Sequence, residues 1–161
     1  NYLVFFPSYQ YLEMVYEAYK ELIDDEQRLL KQEREMDESA REAFLDSFQA
    51  NSSETLVAFA VLGGVFSEGI DRLIGSIIVG VGLPQINPLT EQRRLYFEEA
   101  FKKGYLYAYL YPGFNKVMQA VGRVIRTEED KGVVIMIDER YIEPTYLSLF
   151  PYEWQHAKFL K

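Results

Sequence analysis

Short apolar runs alternate with longer segments of helical periodicity along this chain of 161 residues, and that alternation limits the folds open to it. Four runs are rich in strand-forming residues: YLVFF at 2–6, LVAFAV at 56–61, LIGSIIVGV at 73–81 and VVIMI at 133–137. Strands that are apolar on both sides occur mainly in parallel sheets covered by helices on both faces. The sequence therefore predicts an α/β fold, one domain over residues 1–161, with a parallel sheet between helices.

Apolar residues at helical spacing predict the helices between these runs. We expect helices over residues 9–32, 40–48, 90–103 and 115–126, with Ser8 as the N-cap of the first and Thr90 as the N-cap of the third. Residues 24–42 mix charges of both signs, which is typical of a solvated helical surface. A short last helix is expected within residues 147–154.

The composition excludes several classes of protein. A formal net charge of −8 argues against a free-standing nucleic-acid-binding domain, because such domains usually carry a basic excess. Without cysteine, the chain builds no disulfide, thiolate metal site or iron–sulfur cluster. Its one histidine, His156, gives no metal constellation, and we expect it at the surface or in packing. No signal peptide or membrane-length apolar stretch is visible, so we expect a cytoplasmic protein with no membrane partner.

Three segments with functional residue types follow predicted strands. In parallel α/β sheets, ligands gather where the strands end. We therefore expect residues 7–9, GGVFSEGID at 63–71 and residues 82–84 at one edge of the sheet. The glycines of GGVFSEGID permit tight turning and expose N–H groups, while its acids can accept hydrogen bonds, but many turns share this composition.

Residues 119–132, QAVGRVIRTEEDKG, place an amide, a glycine and two arginines at fixed spacing. On a helix, Gln119, Arg123 and Arg126 share one face, and we expect that helix to set them beside the three segments above. Gly122 leaves room next to Arg123 for a ligand or another backbone. Two guanidinium groups suit phosphate oxygens, yet they suit the acids at 128–130 equally well, so spacing alone leaves both interpretations open.

Alternating tyrosines mark the stretch GYLYAYLYPGF at 104–114. Such rings could stack on the bases of a single strand. We favour the other interpretation, a strand or edge segment whose rings pack on this domain or a neighbouring one.

Together, three of these segments resemble the motifs of one family. FFPSY at 5–9, GGVFSEGID and QAVGRVIRTEEDKG stand in the order and spacing of motifs IV, V and VI of the second RecA-like motor domain of XPD/DinG-type superfamily 2 DNA helicases. GVVIMIDERY at 132–141 resembles the closing strand of that domain. The resemblance covers the whole chain and implies a RecA-like, P-loop NTPase-type fold.

The resemblance also implies roles for individual residues. Helicases of this family hydrolyse ATP between two RecA-like domains while moving along single-stranded DNA, in DNA repair or replication. The residues expected to be catalytic are Arg123, Arg126 and Gln119. Those expected near the nucleotide are Glu68, Gly69, Asp71 and Gly122, and those expected on the nucleic acid are Ser8, Tyr9 and Ser67.

The same resemblance implies the cofactors and partners. ATP with Mg would be held mainly by the first RecA-like domain of the same polypeptide, because this chain has no GxxxxGK[ST] loop and no DEAH-like box. A 4Fe–4S cluster could belong to the full-length protein. We expect this chain to be a fragment of a longer, monomeric protein and to be inactive by itself.

One departure and two alternatives accompany the resemblance. After Asp71 the chain runs directly into Arg72 and the next strand, where the family usually has a longer loop, so the geometry around Asp71 is in doubt. The alternatives are an interaction module that kept the fold without the chemistry, with residues 24–42 as its partner surface, and an RNA-directed helicase.

Overall fold

The computed structural model describes residues 1–23, 27–49, 54–67, 70, 73–125 and 129–160, with the backbone alone for Gln49 and Ser67. The strands are β1 (Tyr2–Phe6), β2 (Gln27–Lys31), β3 (Thr55–Val61), β4 (Gly75–Val79) and β5 (Val133–Ile137). The α-helices are α1 (Tyr9–Lys20), α2 (Glu38–Gln49), α3 (Pro88–Phe101), α4 (Tyr111–Val121) and α5 (Pro144–Leu147). Short 3₁₀ turns occupy Val65–Ser67, Glu139–Ile142 and Tyr152–His156.

The strands form one parallel sheet in the order β2-β3-β1-β4-β5. In β1, Val4 pairs with Phe59 on one side and with Ile77 on the other, so the first strand of the sequence is the central one. The predicted parallel α/β fold is confirmed. Because all strands run the same way, their ends meet at one edge, which we call the carboxyl edge, and their beginnings meet at the opposite amino edge.

Alternation along the strands divides the core between the two faces of the sheet. Leu3 and Phe5 point into the larger buried cluster, which includes Phe44 of α2 and Val117 of α4. Phe6 and Val57 point the other way and pack with α1. Helices therefore cover both faces, as expected. On the α1 face, however, β5 is open: Val133, Ile135 and Ile137 are each about half exposed.

The prediction of a helix over residues 9–32 was wrong beyond Lys20. Residues 27–31 form β2, an edge strand paired with β3 in the register Leu29–Val57. All five of its residues are half-buried, so this stretch lacks the clear alternation of apolar and polar residues that indicates a strand. Its hydrogen-bonding partner lies more than 20 residues away, and tertiary pairing overrode the local helical pattern.

The helices before β5 also differ from the prediction. The N-cap of α3 is Asn87, whose side chain accepts a hydrogen bond from the Thr90 N–H at 3.0 Å; Thr90 itself is buried inside the helix. The predicted helix 115–126 begins at Tyr111 and ends at Val121. Residues 106–110 form a π-helical turn that runs into α4, so the expectation of a strand in the tyrosine stretch was wrong.

The tyrosine rings of that turn pack within the domain, against α3. Tyr107 lies 5.2 Å from the Phe97 ring centroid, and the Tyr109 hydroxyl donates to Glu91. His156 ends the last 3₁₀ turn at the surface, which was one of its two expected positions.

Candidate functional site

The carboxyl edge brings together the segments that follow β1, β3 and β4. The Leu62 N–H donates to the Phe6 carbonyl at 2.8 Å, which ties the segment after β3 to the end of β1. On the other side, a methyl group at Gly80 would stand 3.6 Å from the Pro7 ring. Residues 7–9, 62–67 and 80–83 therefore lie side by side, as the strand order requires.

Ser8 and Tyr9 lie at the centre of this edge. Ser8 is the predicted N-cap of α1: its Oγ accepts a hydrogen bond from the Tyr11 N–H at 3.3 Å. That bond uses a lone pair, so the hydroxyl proton can still be donated to another group. Unpaired N–H groups and the positive end of the helix dipole favour an anion at this position.

The segment after β3 runs from the carboxyl edge toward the amino edge. Gly63 adopts φ +74°, a left-handed conformation that favours glycine. Phe66, Ile70 and Leu73 are then buried in the same cluster as Val117 of α4. Glu68, Gly69 and Asp71 lie outside the described residues, as does the side chain of Ser67, so their predicted roles stay predictions.

Helix α4 holds only the first three residues of the QAVGRVIRTEEDKG motif, Gln119 to Val121, and packs on this segment. Its buried side includes Val117, Ala120 and Val121, and Val124 is buried just beyond it, whereas Gln119 and Gly122 are exposed. Among the described residues, a methyl group at Gly122 would meet only the Met118 and Gln119 carbonyl oxygens, at 3.4 and 3.6 Å. Packing within this domain therefore does not require glycine at residue 122.

Arg123 follows the end of α4 and is half-buried. Its N–H donates to the Ala120 carbonyl at 3.2 Å, in a turn that continues the helix for a few residues. The side-chain Nε is fully buried and has no hydrogen-bond partner within the described part of the chain. An unpaired buried donor costs about 1–3 kcal/mol. Arg126 lies outside the described residues, so the predicted pairing of two arginines on one face is not tested.

The motif ends at the amino edge, away from Ser8. Val124 packs on Gly132, and Gly132 in turn adjoins the Ile74 carbonyl, just before β4. The expectation that this helix places its arginines beside all three segments was therefore wrong for Arg123 and residues 7–9, whereas the buried residues after β3 share a cluster with Val121 and Val124. A helix that leads into a parallel strand must run back along the sheet, so its last residues reach the edge where the strands begin. Among the described site residues, Ser8 and Arg123 thus lie at opposite edges of the sheet.

An ion pair that the sequence analysis did not single out stands at the carboxyl edge after β5. Arg140 donates from Nε to Asp138 Oδ1 at 2.8 Å and from Nη2 to Oδ2 at 2.7 Å. These bonds to Arg140 hold the pKa of Asp138 below its usual value, and they raise the pKa of the Arg140 guanidinium. The neighbouring Tyr141 hydroxyl donates to the Gly80 carbonyl at 2.7 Å, and burial raises the pKa of Tyr141.

Two further kinds of site are lacking in the described ranges. There, no group of three acidic, histidine or cysteine side chains could hold a metal ion. Nor does any helix in those ranges have the length and apolar character that crossing a membrane requires.

Nearly the whole chain is similar to known helicase sequences. A family model described as the helicase C-terminal domain matches residues 1–157. The ATP-dependent DNA helicase chl-1 of Caenorhabditis elegans is 28% identical over 149 residues, which covers 86% of this chain and 18% of that protein. The regulator of telomere elongation helicase 1 homolog of Oryza sativa is 30% identical over 179 residues, covering 93% of this chain and 18% of that protein.

Two solved structures share the fold of this chain. Two structures named as XPD, one of them in the apo form, each superpose with a TM-score of 0.68. Their sequence identities are 24% and 22%, and each match covers 92% of this chain. The apo form is covered over 30% of its length and the other over 26%. The chain thus spans about a fifth of the length of the curated relatives above and under a third of these structures.

Proposed function

Because the chain belongs to the helicase C-terminal domain family of XPD/DinG-type superfamily 2 helicases, we propose that it is the second motor domain of an ATP-dependent DNA helicase. In this role it supplies motifs IV, V and VI to ATP hydrolysis that drives translocation on single-stranded DNA. DNA repair or replication is the process we propose for it.

The observation that supports the nucleotide role is the buried Nε of Arg123, which has no hydrogen-bond partner among the described residues, next to the exposed Gln119 and Gly122. Phosphoryl transfer is accelerated mainly by positioning and by charge stabilisation, for which an arginine reaching the phosphates is well suited. In our proposal Arg123 and Arg126 contact the phosphates of an ATP bound to the first motor domain, one of them as an arginine finger. Gln119 orients the groups around the γ-phosphate.

We assign the nucleic-acid contacts to the carboxyl edge. The Ser8 hydroxyl proton and the free N–H groups at the start of α1 favour a phosphate, with Tyr9 beside them. Such contacts fix the position of a strand without reading its sequence. Ser67 is proposed as a third contact on this edge.

The two groups of residues are connected through the segment after β3. It begins at Gly63 on the carboxyl edge, and its buried residues Phe66, Ile70 and Leu73 pack in the α4 cluster. We propose that Glu68, Gly69 and Asp71 in this segment couple the bound state of the nucleotide to the affinity for DNA. Allosteric coupling of this kind requires an element that both sites can bias, and this segment is the candidate.

This chain lacks a phosphate-binding GxxxxGK[ST] loop, so the proposed ATP site needs a second domain. The first motor domain of the same polypeptide would bind ATP with Mg, and the full-length protein could carry a 4Fe–4S cluster, which this cysteine-free chain cannot hold. The monomeric state and the cytoplasmic location remain predictions. The alternative of an interaction module that uses residues 24–42 as a helical surface is disfavoured, because β2 occupies part of them and Gln32 is buried.

The decisive experiment is an ATPase assay on the full-length protein with and without single-stranded DNA, with the 161-residue chain as the control. We expect turnover that DNA stimulates in the full-length protein and none above background in the chain alone. Arg126→Ala should abolish the stimulated turnover, and near-normal turnover would contradict the arginine-finger role. Unwinding of matched DNA and RNA duplexes then distinguishes a DNA helicase from an RNA-directed one.

A further inference from the structure

Gln32 is a buried polar residue directly after β2. Its exposed fraction is 4%, although it stands in a stretch of charged residues that the sequence analysis assigned to a solvated surface. A buried amide is costly unless its hydrogen bonds are made. The partners of this side chain therefore indicate why it is there.

The Gln32 amide joins two segments of the carboxyl edge. Its Oε1 accepts a hydrogen bond from the Val61 N–H at 2.8 Å, at the last residue of β3. Its Nε2 donates to the Tyr9 hydroxyl at 2.8 Å, in the first turn of α1. The backbone N–H of Gln32 also donates to the Phe59 carbonyl at 2.8 Å, which holds the residue against β3.

Gly64 and Arg34 complete the surroundings of this amide. A methyl group at Gly64 would stand 3.5 Å from Gln32 Nε2 and 3.6 Å from Oε1, so the amide lies beneath the start of the segment after β3. Arg34 lies over the Tyr9 ring, 5.5 Å from its centroid. Tyr9 is thus held at its hydroxyl by one side chain and at its ring face by another.

We propose that Gln32 is a positioning residue for single-stranded DNA binding, one that fixes Tyr9 and the segment after β3 in a single geometry. The inference rests on the proposed function. Because one amide holds both segments, a strand that engages Ser8 and Tyr9 finds the residues after β3 already in place. Gln32 itself touches no DNA; it acts through Tyr9 and Val61.

The chain provides a matched control at the other end of the same two elements. The Tyr19 hydroxyl, near the end of α1, donates to Gln27 Oε1 at 3.0 Å, at the start of β2. This is again a tyrosine–glutamine pair between α1 and β2, but it lies toward the amino edge. Replacing Gln27 removes a similar hydrogen bond without disturbing the carboxyl edge.

The experiment uses the full-length protein with Gln32→Leu, Gln32→Glu and Gln27→Leu. ATPase rates over a range of oligo(dT) concentrations give the half-stimulating DNA concentration and the maximal rate, and thermal unfolding gives Tm. Gln32→Leu should raise the half-stimulating concentration by about tenfold and change the maximal rate by less than about threefold. Glutamic acid in the neutral form that burial favours keeps both hydrogen bonds, because its carbonyl oxygen accepts from the Val61 N–H and its O–H donates to the Tyr9 hydroxyl, so this variant should stay within about threefold of wild type.

The control decides between positioning and general stability. Gln27→Leu should lower Tm while leaving the half-stimulating DNA concentration within about twofold of wild type. If Gln32→Leu and Gln27→Leu have the same half-stimulating DNA concentration, the inference about Gln32 is overturned, while the proposed function stands. If Gln32→Leu does not fold, Gln32→Glu decides it: a loss of DNA stimulation as large as that of Tyr9→Ala overturns the inference, and retention supports it. If oligo(dT) does not stimulate the ATPase of the wild-type protein, the proposed function itself is refuted.

Discussion

Lys116 on α4 lies across Gly63 at the end of β3, so that a methyl group at residue 63 would stand 2.6 Å from Lys116 Cδ. This contact joins the helix of the QAVGRVIRTEEDKG motif to the first residue of the segment that begins at the carboxyl edge. It gives the first prediction.

Gly63→Ala should destabilise the chain by about 1–3 kcal/mol, because alanine is strained at φ +74° and its methyl group displaces the lysine. Urea denaturation of the 161-residue chain measures the change. In the double variant Gly63→Ala/Lys116→Ala, the contact is relieved and the backbone strain stays. A double variant as stable as wild type would show that the conformation of Gly63 costs alanine nothing.

Arg123→Met should separate stability from activity. Methionine keeps an apolar stem and removes the buried Nε, which has no partner in the described part of the chain, so stability should be unchanged or should rise by about 1 kcal/mol in urea denaturation. In the full-length protein, DNA-stimulated ATPase should fall by at least about 100-fold, because a phosphate contact is lost. Arg93→Met on the exposed surface of α3 is the control, with both quantities near wild type. A large loss of stability in Arg123→Met would identify Arg123 as a structural residue.

Alanine should destabilise the chain far more at Gly132 than at Gly122, the two glycines of the motif. Gly122→Ala should change stability by less than about 1 kcal/mol, because the added methyl group meets only ordinary contacts. Gly132→Ala should cost more than about 2 kcal/mol, because the methyl group would overlap Val124 and stand 2.9 Å from the Ile74 carbonyl. Thermal or urea unfolding of both variants checks this. If the two variants lost the same stability, the assignment of Gly122 to an open surface would be wrong.

The Asp138–Arg140 pair should make stability depend on pH at the acidic end. The pKa of Asp138 is lowered in the folded chain, so its contribution is complete above its ordinary pKa and is lost as pH falls through the lower, folded value. Asp138→Asn should destabilise the chain by about 1–2 kcal/mol near pH 7. Urea denaturation at about pH 7 and about pH 2.5 measures this difference, which should shrink at the lower pH. A difference independent of pH would mean that the Asp138 charge contributes nothing.

Much of the fold could be predicted because its strands are apolar on both sides. YLVFF and VVIMI were placed at the residues where β1 and β5 occur, since burial in a parallel sheet leaves a continuous local signal. Ser8 was predicted as a helix cap because an extended serine before a helix has a specific hydrogen-bonding role. The edge strand β2 could not be predicted, because QRLLK is half-buried throughout and owes its strand conformation to β3.

The family could be identified before the fold was known, because the order and spacing of its three motifs do not depend on how the chain packs. Only the tertiary structure decided that Ser8 and Arg123 stand at opposite edges of the sheet, because α4 must run back along the sheet before β5 begins. It also decided that Gln32, read as part of a solvated surface, is a buried amide between Tyr9 and Val61. Hydrogen bonds between residues 23 and 29 positions apart have no local pattern, so they become visible only when the strands are side by side.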